Sequence, residues 1–435
     1  MSFTIDKQSI EELDLLGKYR QGSVYFLFNK VKSRGGEQLL DELFRQPLTD
    51  AGRINERTAI FRFFEQADLS FPFDPRQLVL VREYIDSGTE QGRLAGHAGM
   101  LLKKGLSVLT RDERYKRIIQ GLQATIEILK KCAGLTEYLA TLSGPYASRV
   151  ASVRGLLQQE GVNRLLETDI YRTMSVTTIA AFDHLLKVKL KPAIQDMLHF
   201  IAEVDVNIAV GRVARENNLT YAAACVREAN LLKADGLRHP CLDNAIGNEL
   251  TMQEGSNVLF LTGANMAGKS TWMKAIGINV YLAHIGFPVA AKSMAFSIRE
   301  GICSSINVAD NIGLGYSHFY AEVVRVKQAA EATSTGKHLL LLFDELFKGT
   351  NVKDAYDGTL AVTEGFSEYT NCLFIVSTHI IEVGAALQSR PNIRFRYMPT
   401  VMDGLTPRYT YRLAEGITED RQGMMIIRNE GILDM

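Results

Sequence analysis

The sequence lacks the features that direct a chain to an oxidising compartment or a membrane. Its five cysteines (Cys132, Cys225, Cys241, Cys303, Cys372) are scattered, and none forms a Cys-x-x-Cys pair. Such spacing favours a reducing compartment and disfavours a zinc site. The N-terminus has no apolar signal core, and there is no uninterrupted apolar run of about 18 residues. The sequence therefore predicts a cytoplasmic protein with no membrane association.

An excess of charge of one sign is also absent. The 49 Lys and Arg residues balance the 49 Asp and Glu residues, so the formal net charge is zero. Bulk electrostatics therefore gives no reason to expect nucleic-acid binding, and any DNA contact would need a local basic patch. With 435 residues, of which 46% are hydrophobic, the chain exceeds the usual size of one core. Two or three domains are expected.

The character of the sequence changes near residues 230–240. Residues 6–230 have mostly helical periodicity, and the longest predicted helix covers residues 179–215, where Pro192 is expected to introduce a kink. Ser9, with Glu12 three residues later, predicts a capped helix over residues 9–16. After residue 240, short apolar runs alternate with helices and end in a hairpin over residues 393–413. This alternation predicts a mostly parallel sheet covered on both faces.

The strongest local motif is a phosphate-binding loop at residues 262–271, TGANMAGKST. An apolar strand precedes it and a helical pattern follows, which favours a nucleotide loop over an ordinary glycine turn. Gly263 and Gly268 allow the backbone N–H groups to converge on a phosphate at a helix N-terminus. Lys269 is expected to reach the β- and γ-phosphates, and Ser270 to bind Mg²⁺ through its hydroxyl.

Two later apolar strands end in polar residues that suit the same chemistry. Residues 338–345 end in Asp344, expected to hold Mg²⁺, and in Glu345, expected to orient and deprotonate the attacking water. Residues 373–379 bring His379 to the same sheet edge, where it would sense the γ-phosphate. The alternatives are acids that cap the next turn and a structural histidine.

Between these motifs, residues 309–322 contain Ser317 just before an amphipathic helical pattern. A serine at a helix N-terminus is ordinarily a cap. Its hydroxyl and the helix dipole could instead approach a phosphate held by a second copy of the chain. The residues of this segment alone do not decide between the two.

In these motifs the sequence resembles the MutS family of DNA mismatch-repair ATPases. A phosphate loop that contains Asn265-Met266 is a more specific sign of this family than a generic phosphate loop. The order of the other motifs also matches, from Asp310-Asn311 and Ser317-x-Phe319-x-x-Glu322 through Asp344-Glu345, Gly349-Thr350 and Ser377-Thr378-His379. Weaker matches occur at residues 22–48, 238–240 and 411–417.

The resemblance implies an α-helical core/lever domain followed by an α/β P-loop (ABC-like) ATPase domain. It implies a homodimer with composite ATP sites, in which Lys269, Ser270 and Asn265 hold ATP and Mg²⁺ in cis. Ser317 would contact the γ-phosphate in trans. The predicted nucleotide-binding residues are Gly263, Asn265, Met266, Ala267, Gly268, Lys269, Ser270, Thr271 and Ser317; the predicted catalytic residues are Glu345, His379 and Lys269, and the predicted metal ligands are Ser270 and Asp344.

Under this interpretation residues 1–75 begin the core, residues 76–232 form core and lever arms with a shortened or absent clamp, and residues 233–435 form the ATPase domain. The mismatch-recognition and connector domains of the family, and its C-terminal helix-turn-helix, are expected to be missing. The loop after Gly349-Thr350 is longer than the family's, so signalling between subunits is expected to differ.

The function predicted from the resemblance is ATP-dependent, non-sequence-specific DNA binding coupled to lever movement, in DNA repair or recombination. An ATP-switched protein-interaction module is the alternative. A different ABC-type motor is disfavoured because the sequence of the phosphate loop is MutS-like. Basic stretches on predicted helices are candidates for salt-sensitive phosphate contacts or, equally, for solvated helix faces. They are Lys103-Lys104, Arg111, Arg114, Lys116-Arg117, Lys130-Lys131, Lys187, Lys189 and Lys191. Trp272 and the Phe61, Phe63, Phe64 cluster are predicted to be core residues.

Overall fold

The computed structural model describes residues 2–87, 114–170, 174–306, 318–403 and 406–418. Its contacts divide the chain into two compact units. The first, which we call the sheet unit, comprises Met1–Phe28, Leu43–Thr58 and Val213–Met435. The second, the helical unit, comprises Asn29–Glu42 and Ala59–Arg212. The predicted boundaries of core, lever and ATPase domains stay predictions.

The α-helices of the described residues are numbered in chain order. They are α1 (Lys7–Glu12), α2 (Val24–Phe28), α3 (Arg34–Arg45), α4 (Ala51–Ala67), α5 (Pro75–Asp86), α6 (Arg114–Thr141), α7 (Ala147–Leu157), α8 (Glu160–Leu166), α9 (Val176–His184), α10 (Lys191–Glu216), α11 (Lys269–His284), α12 (His318–Ser334), α13 (Val352–Ser367) and α14 (Ile381–Leu387).

The strands of the described residues all belong to the sheet unit. They are β1 (Thr4–Ile5), β2 (Ala223–Cys225), β3 (Leu232–Leu237), β4 (Asn248–Met252), β5 (Val258–Gly263), β6 (Ser293–Ser297), β7 (Gly301–Ser305), β8 (Leu339–Asp344), β9 (Leu373–Ser377), β10 (Ile393–Met398), β11 (Thr400–Asp403), β12 (Thr406–Tyr409) and β13 (Ala414–Glu415).

The main sheet has seven strands in the order β1-β7-β8-β9-β5-β10-β13. Every pair is parallel except β10 with β13. The central strands β5 and β9 are buried along their whole length, as their continuous apolar sequences require. On one face, stacked Phe343, Phe366 and Phe374 rings lie 5.0–5.4 Å apart and fill the core.

A second, four-stranded sheet has the order β2-β6-β3-β4 and mixes parallel and antiparallel pairs. The hairpin predicted for residues 393–413 is only partly correct. Its first strand, β10, pairs in parallel with β5 in the main sheet, and the hairpin itself is formed by β11 and β12. The coarse prediction of helices together with a mostly parallel, helix-covered sheet is confirmed.

The helical unit has its own apolar core. The ring centroid of Tyr146 lies 5.2 Å from that of Phe64 and 6.0 Å from that of Phe200. Arg149 crosses between helices α7 and α10, with its guanidinium 3.0 Å from Asp196 and 2.8 Å from Glu203. Phe61 and Phe64 are each 1% exposed, so their prediction as core residues is confirmed.

The long helix predicted over residues 179–215 is interrupted. Helix α9 ends at His184, a π-helical turn covers Leu185–Lys189, and α10 begins at Lys191. Pro192 therefore lies in the first turn of α10, where its missing N–H costs no hydrogen bond. The prediction of a kink within one continuous helix is wrong, because the π-turn separates two helices.

The predicted cap of the first helix is also wrong. Asp6 caps α1, since its side chain accepts a hydrogen bond from the Ser9 amide at 2.9 Å. The helix covers Lys7–Glu12 and not residues 9–16. Ser9 and Glu12, which are buried, make other contacts that are described below.

Among the described residues, no helix is long and apolar enough to cross a membrane. All five cysteines are free thiols, which agrees with the absence of paired spacings in the sequence.

Candidate nucleotide-binding site

The parallel register of the main sheet brings three predicted motifs to one edge. Ser377 on β9 aligns with Leu261 on β5 and with Asp344 on β8. The phosphate loop, the acidic pair and His379 all follow the carboxyl ends of these strands. In open parallel sheets this edge is where ligands bind.

The phosphate loop has the backbone conformation that its glycines predict. Gly263 has φ +140° and Gly268 has φ +102°, both in the region that favours glycine. A Cβ at Gly263 would lie 3.0 Å from the Met398 carbonyl oxygen. Met266 also has a positive φ, +70°, although it is not glycine, and its side chain is 79% exposed. Such a conformation in a non-glycine residue stores strain in a loop whose backbone amides are predicted to bind phosphate.

Lys269 begins helix α11 and is only 4% exposed. Its Nζ donates hydrogen bonds to the carbonyl oxygens of Gly263 at 2.8 Å and Ala264 at 3.1 Å. Burial lowers the pKa of Lys269, and the nearby carboxylates of Asp344 and Glu345 oppose this shift. The ammonium group is therefore held inside the loop that is predicted to take the phosphates.

Asp344 lies at the end of β8 beside Ser270. Burial raises the pKa of its carboxyl group, and the neighbouring hydroxyls of Ser270 and Ser377 partly offset this effect. Within the part of the chain that the structure describes, Oδ1 of Asp344 and Oγ of Ser377 are buried without a hydrogen-bond partner. An unpaired buried carboxylate oxygen next to a serine hydroxyl suits a hard divalent cation such as Mg²⁺, which prefers oxygen ligands.

Glu345 and His379 form a pair at the same edge. Their nearest atoms, Oε1 and Nδ1, are 3.8 Å apart, which is an ion-pair distance and longer than a hydrogen bond. This pairing lowers the pKa of Glu345 and raises that of His379. The backbone of Glu345 has φ +53°, and its amide donates to the Ser377 carbonyl at 2.8 Å. Glu345 is thus held as a carboxylate, the form that accepts a proton.

The remaining predicted site residues divide into two groups. Asn265, Met266 and Thr271 are exposed on the loop, and Ala267 is buried within it. Ser317, together with Asp310 and Asn311, lies outside the described residues. The structure therefore brings together the residues predicted to act in cis. The trans role of Ser317 stays a prediction.

A comparison with known families identifies the same segment. The family model described as MutS domain V matches residues 259–434. This match includes the phosphate loop, the Asp344-Glu345 pair and His379. Residues 259–434 of this chain are therefore similar to domain V of the MutS family.

Individual MutS relatives match the chain over about half its length. The DNA mismatch repair protein MutS of Anaplasma phagocytophilum is 34% identical over 198 residues, which cover 45% of this chain and 24% of that protein. The Drosophila melanogaster DNA mismatch repair protein spellchecker 1 is 28% identical over 52% of this chain and 26% of its own length. The MutS protein of Streptococcus equi is 24% identical over 66% of this chain and 33% of that protein. The matched part of the chain thus spans about a quarter to a third of the length of these relatives.

A cavity that was not expected from the sequence lies beside the phosphate loop. Its volume is about 340 Å³, and it is lined by residues from α11 and from segments on either side, among them His239, Asn248, Gly268, Thr271, Trp272 and Tyr411. Trp272 is 4% exposed, so its prediction as a core residue is confirmed, yet its Nε1 has no hydrogen-bond partner among the described residues. Burial lowers the pKa of His239 to about 4, so this ring is neutral at physiological pH. An aromatic-lined cavity next to a phosphate loop suits the base of a nucleotide. Only the position of Trp272, four residues after Gly268 in the first turn of α11, could have indicated the cavity.

Proposed function

We propose that this chain is a MutS-like ATPase that binds ATP with Mg²⁺ at the sheet edge described above. The observation that carries the proposal is the pair of buried atoms without a hydrogen-bond partner among the described residues, Oδ1 of Asp344 and Oγ of Ser377, close to the buried ammonium of Lys269. A buried carboxylate oxygen without a partner costs about 1–3 kcal/mol, so it is retained where a ligand completes it. The phosphate loop follows β5, which is separated from β8 by β9 alone, and this loop supplies the place for that ligand.

In the proposed reaction Lys269 exchanges its bonds to the Gly263 and Ala264 carbonyl oxygens for the β- and γ-phosphate oxygens of ATP. Ser270 and Asp344 would hold Mg²⁺, which when bound would supply neutralisation of the phosphate charge. Glu345, kept ionised by His379, orients a water and accepts its proton as the water attacks the γ-phosphate. The products are ADP and inorganic phosphate. The imidazolium of His379 stabilises the negative charge on the transferring phosphoryl group.

We further propose a homodimer in which Ser317 of one copy contacts the γ-phosphate held by the other. This proposal depends on the MutS motifs that surround Ser317 in sequence. It predicts that ATP turnover per chain rises with protein concentration. A turnover that is independent of concentration down to nanomolar protein would contradict composite sites.

We propose DNA as the macromolecular partner, bound without sequence specificity. The affinity for DNA would depend on whether ATP is bound. The helical unit and the sheet unit would correspond to core with levers and to the ATPase domain, and the five free thiols support a cytoplasmic location. Lys187 is not available for phosphate contacts, since its side chain is 4% exposed and pairs with Asp183 at 3.0 Å. Lys116 and Lys131 are exposed on α6 and remain candidates.

Nucleotide binding can be measured directly, because Trp272 is the only tryptophan of the chain and lines the cavity beside the loop. Addition of ATP and Mg²⁺ is expected to change its fluorescence with a saturable curve, and phosphate release is expected to follow. No saturable change and no phosphate release would overturn the proposed ATPase.

The DNA proposal is tested by filter binding of duplex, mismatched and branched DNA at two salt concentrations, with and without ATP. Affinity is expected to fall with salt and to depend on nucleotide. If DNA neither binds nor stimulates ATP hydrolysis at low salt, DNA is excluded as the partner. This outcome would leave an ATP-switched protein-interaction module.

A further inference from the structure

A second cavity lies between the two sheets of the sheet unit. Its volume is about 540 Å³, larger than that of the cavity beside the phosphate loop. Its lining residues come from the end of β3 and the start of β4 in the four-stranded sheet, and from β10 and the residues before β13 in the main sheet. Cavities of about 300–1,000 Å³ typically hold small molecules. We call this one the intersheet cavity.

The lining of the intersheet cavity is predominantly basic. Four cationic side chains line it, against the two acidic side chains of Asp235 and Glu249. The cationic residues are Arg238, Lys292, Arg396 and Arg412. This excess of two positive charges contrasts with the formal net charge of zero of the whole chain. A cleft lined by one sign of charge raises the local concentration of ligands of the opposite sign, so the cavity attracts anions.

Arg238 is half-buried and is oriented by neutral oxygens. Its Nη2 donates to the carbonyl oxygens of Asn217 and Asn218, at 2.8 Å and 2.9 Å. Carbonyl oxygens hold the guanidinium in place but carry no formal negative charge. The guanidinium has further N–H donors at its other nitrogens. Its positive charge and these donors are therefore available to a ligand in the cavity.

Arg412 is exposed, and one buried side chain holds the backbone on both sides of it. Asn248, 8% exposed, donates through Nδ2 to the Tyr411 carbonyl oxygen at 3.0 Å and accepts at Oδ1 from the Leu413 amide at 2.8 Å. Tyr411 has a positive φ, +55°. This conformation is strained in a residue other than glycine and persists only where the surroundings fix it. Asn248 therefore places Arg412 at the cavity on a fixed backbone.

The other two cations are only weakly neutralised. Nζ of Lys292 lies 3.9 Å from Oδ2 of Asp235, which is a long distance for an ion pair. Nη1 of Arg396 lies 2.9 Å from Oε1 of Glu415, whose side chain is 83% exposed. Exposed ion pairs contribute little to stability, so an anionic ligand can compete with these carboxylates for the cations.

Two glycines keep part of the cavity wall free of side chains. Gly236 has φ +61°, in the left-handed region, at the point where the register of β3 with β4 shifts. A Cβ at Gly247 would lie 2.6 Å from the Gly236 carbonyl oxygen, so a larger residue does not fit there without a shift. Glycine in a bulged strand often marks a place where a ligand approaches the backbone. Cationic side chains next to exposed backbone are a combination found in phosphate sites.

We propose that the intersheet cavity binds a small molecule that carries two or more phosphate groups. Cations reach the cavity from both sheets, which suits several anionic groups better than one. Three of the four cations are guanidinium groups, which bind phosphate through paired hydrogen bonds. Ala245, Ile246 and Asn248 line this cavity and also the one beside the phosphate loop, so the two are neighbours. The proposal adds a second ligand to the proposed function and does not depend on ATP hydrolysis.

The test measures binding of inorganic pyrophosphate by calorimetry in Lys269→Ala, whose phosphate loop lacks its ammonium group. Saturable binding of one pyrophosphate per chain is expected, with an affinity that falls as sodium chloride is added, because salt screens exposed charges. A parallel titration with ADP distinguishes a free polyphosphate from a nucleotide as the ligand. Saturable binding of at least one of the two is expected, and binding of neither at low salt would overturn the proposal.

Arg412→Ala, added to Lys269→Ala, is expected to weaken this binding about tenfold, the low end of the loss of a charged hydrogen bond. Arg408→Ala is the matched control, because Arg408 is exposed on β12, does not line the cavity, and carries the same charge. It is expected to bind within about twofold of its parent, since exposed charges outside the site are largely screened. Equal weakening by the two variants would show attraction to the surface in general and would overturn the site.

Glu415→Gln gives a result that misfolding cannot imitate. It releases Arg396 from its ion pair, so the affinity is expected to rise about threefold, within the range of an exposed ion pair. Glu254→Gln removes the same charge from an exposed turn between β4 and β5, outside the lining, and is expected to leave the affinity unchanged. No rise with Glu415→Gln, or an equal rise with both variants, would overturn the assignment of the ligand to this cavity.

The second site and the proposed ATPase are tested separately. Wild-type ATP turnover, together with no binding of either ligand by Lys269→Ala, would overturn the second site alone. Binding by Lys269→Ala that Arg412→Ala weakens and Arg408→Ala does not would support the second site, even if the wild-type chain did not hydrolyse ATP.

Discussion

Two places in the sheet unit bury charged side chains, and they differ in how completely those groups are paired. In the first place, which we call the N-terminal anchor (Asp6, Ser9, Glu12, Ser304 and Arg325), Glu12 accepts hydrogen bonds from Ser304 and Ile306. Arg325 donates to two oxygens besides its ion pair with Asp6. In the nucleotide site, Oδ1 of Asp344 has no partner among the described residues. Its neighbour Lys269 bonds only backbone carbonyl oxygens.

This difference distinguishes buried polar groups that stabilise the fold from buried polar groups that are available to a ligand. A buried charge costs several kcal/mol of desolvation unless partners compensate it. The anchor meets that requirement with groups from its own chain. The candidate nucleotide site does not, and we interpret the deficit as the place that a ligand would complete. The predictions below test whether the two places respond to change as this distinction requires.

The largest effect is expected for Lys269→Ala. Loss of the buried ammonium removes the charge that binds the β- and γ-phosphates, so turnover should fall by about 10²–10³-fold. Phosphate release under saturating ATP measures it. Lys353→Ala, exposed on α13, is the matched control and should retain wild-type turnover. Comparable turnover in the two variants would place the phosphate elsewhere.

Glu345→Gln should lower turnover by about 10²-fold while sparing ATP binding, because only the proton acceptor is removed. A rapid-quench measurement would find ATP bound and uncleaved, and Trp272 fluorescence would give the affinity. Unchanged turnover would refute the role of Glu345 as general base.

Asp344→Asn should stabilise the chain without nucleotide by about 1 kcal/mol, since it removes an incompletely paired buried charge. The sign follows from the raised pKa of Asp344. The native state binds more protons than the unfolded state between the ordinary and the raised pKa, so stability falls as pH rises through that window. The variant should lose this pH dependence and also the thermal shift caused by Mg²⁺ with ATP. Lower stability at neutral pH would mean that Asp344 belongs to a completed network like the anchor.

His379→Gln should change the pH profile of turnover several-fold at its alkaline side. The pair with Glu345 raises the pKa of His379, so the imidazolium persists above the ordinary histidine value and is lost as pH rises through the raised value. Wild-type turnover should fall across that window, and the variant should lack the step. An identical alkaline limb in both proteins would exclude His379 from the reaction.

The smallest effect is expected in the helical unit, where Lys187, which is paired with Asp183, is compared with Lys131, which is exposed. Lys131→Ala should reduce the salt dependence of DNA affinity by about one unit in the logarithmic slope. Lys187→Ala should leave the slope unchanged and lower the melting temperature, because the buried Lys187 side chain pairs with partly buried Asp183 and lies over the Tyr84 ring at 4.4 Å. The reverse pattern would show that Lys187 reaches DNA.

The placement of the candidate nucleotide site was predictable because its residues lie in short motifs. The phosphate loop needs glycines at fixed positions, and each acidic or histidine residue directly follows an apolar strand. Strand order then places them together without further information. The cavity at Trp272 was not predictable, because it is assembled from segments far apart in sequence.

The N-terminal anchor shows why contacts between residues far apart in sequence were not predictable. Ser9 and Glu12 have the spacing of a capping box, so local rules assigned them to their own helix. In the structure Asp6 provides the cap, which frees Ser9 and Glu12 to bond residues nearly 300 positions away. The π-turn at Leu185–Lys189 was hidden for a related reason, since no local sequence rule marks an extra residue in a turn.

The pairing of β1 with β7 has a practical consequence for handling the protein. Thr4 and Ile5 occupy the hydrogen-bonding edge of β7, which would otherwise present unpaired amides and carbonyls to other molecules. Removing these few residues for an expression vector would leave an open strand next to apolar β8, and such edges promote self-association. Affinity tags at this end therefore need a spacer, and insoluble material after truncation would be a sign of the lost strand.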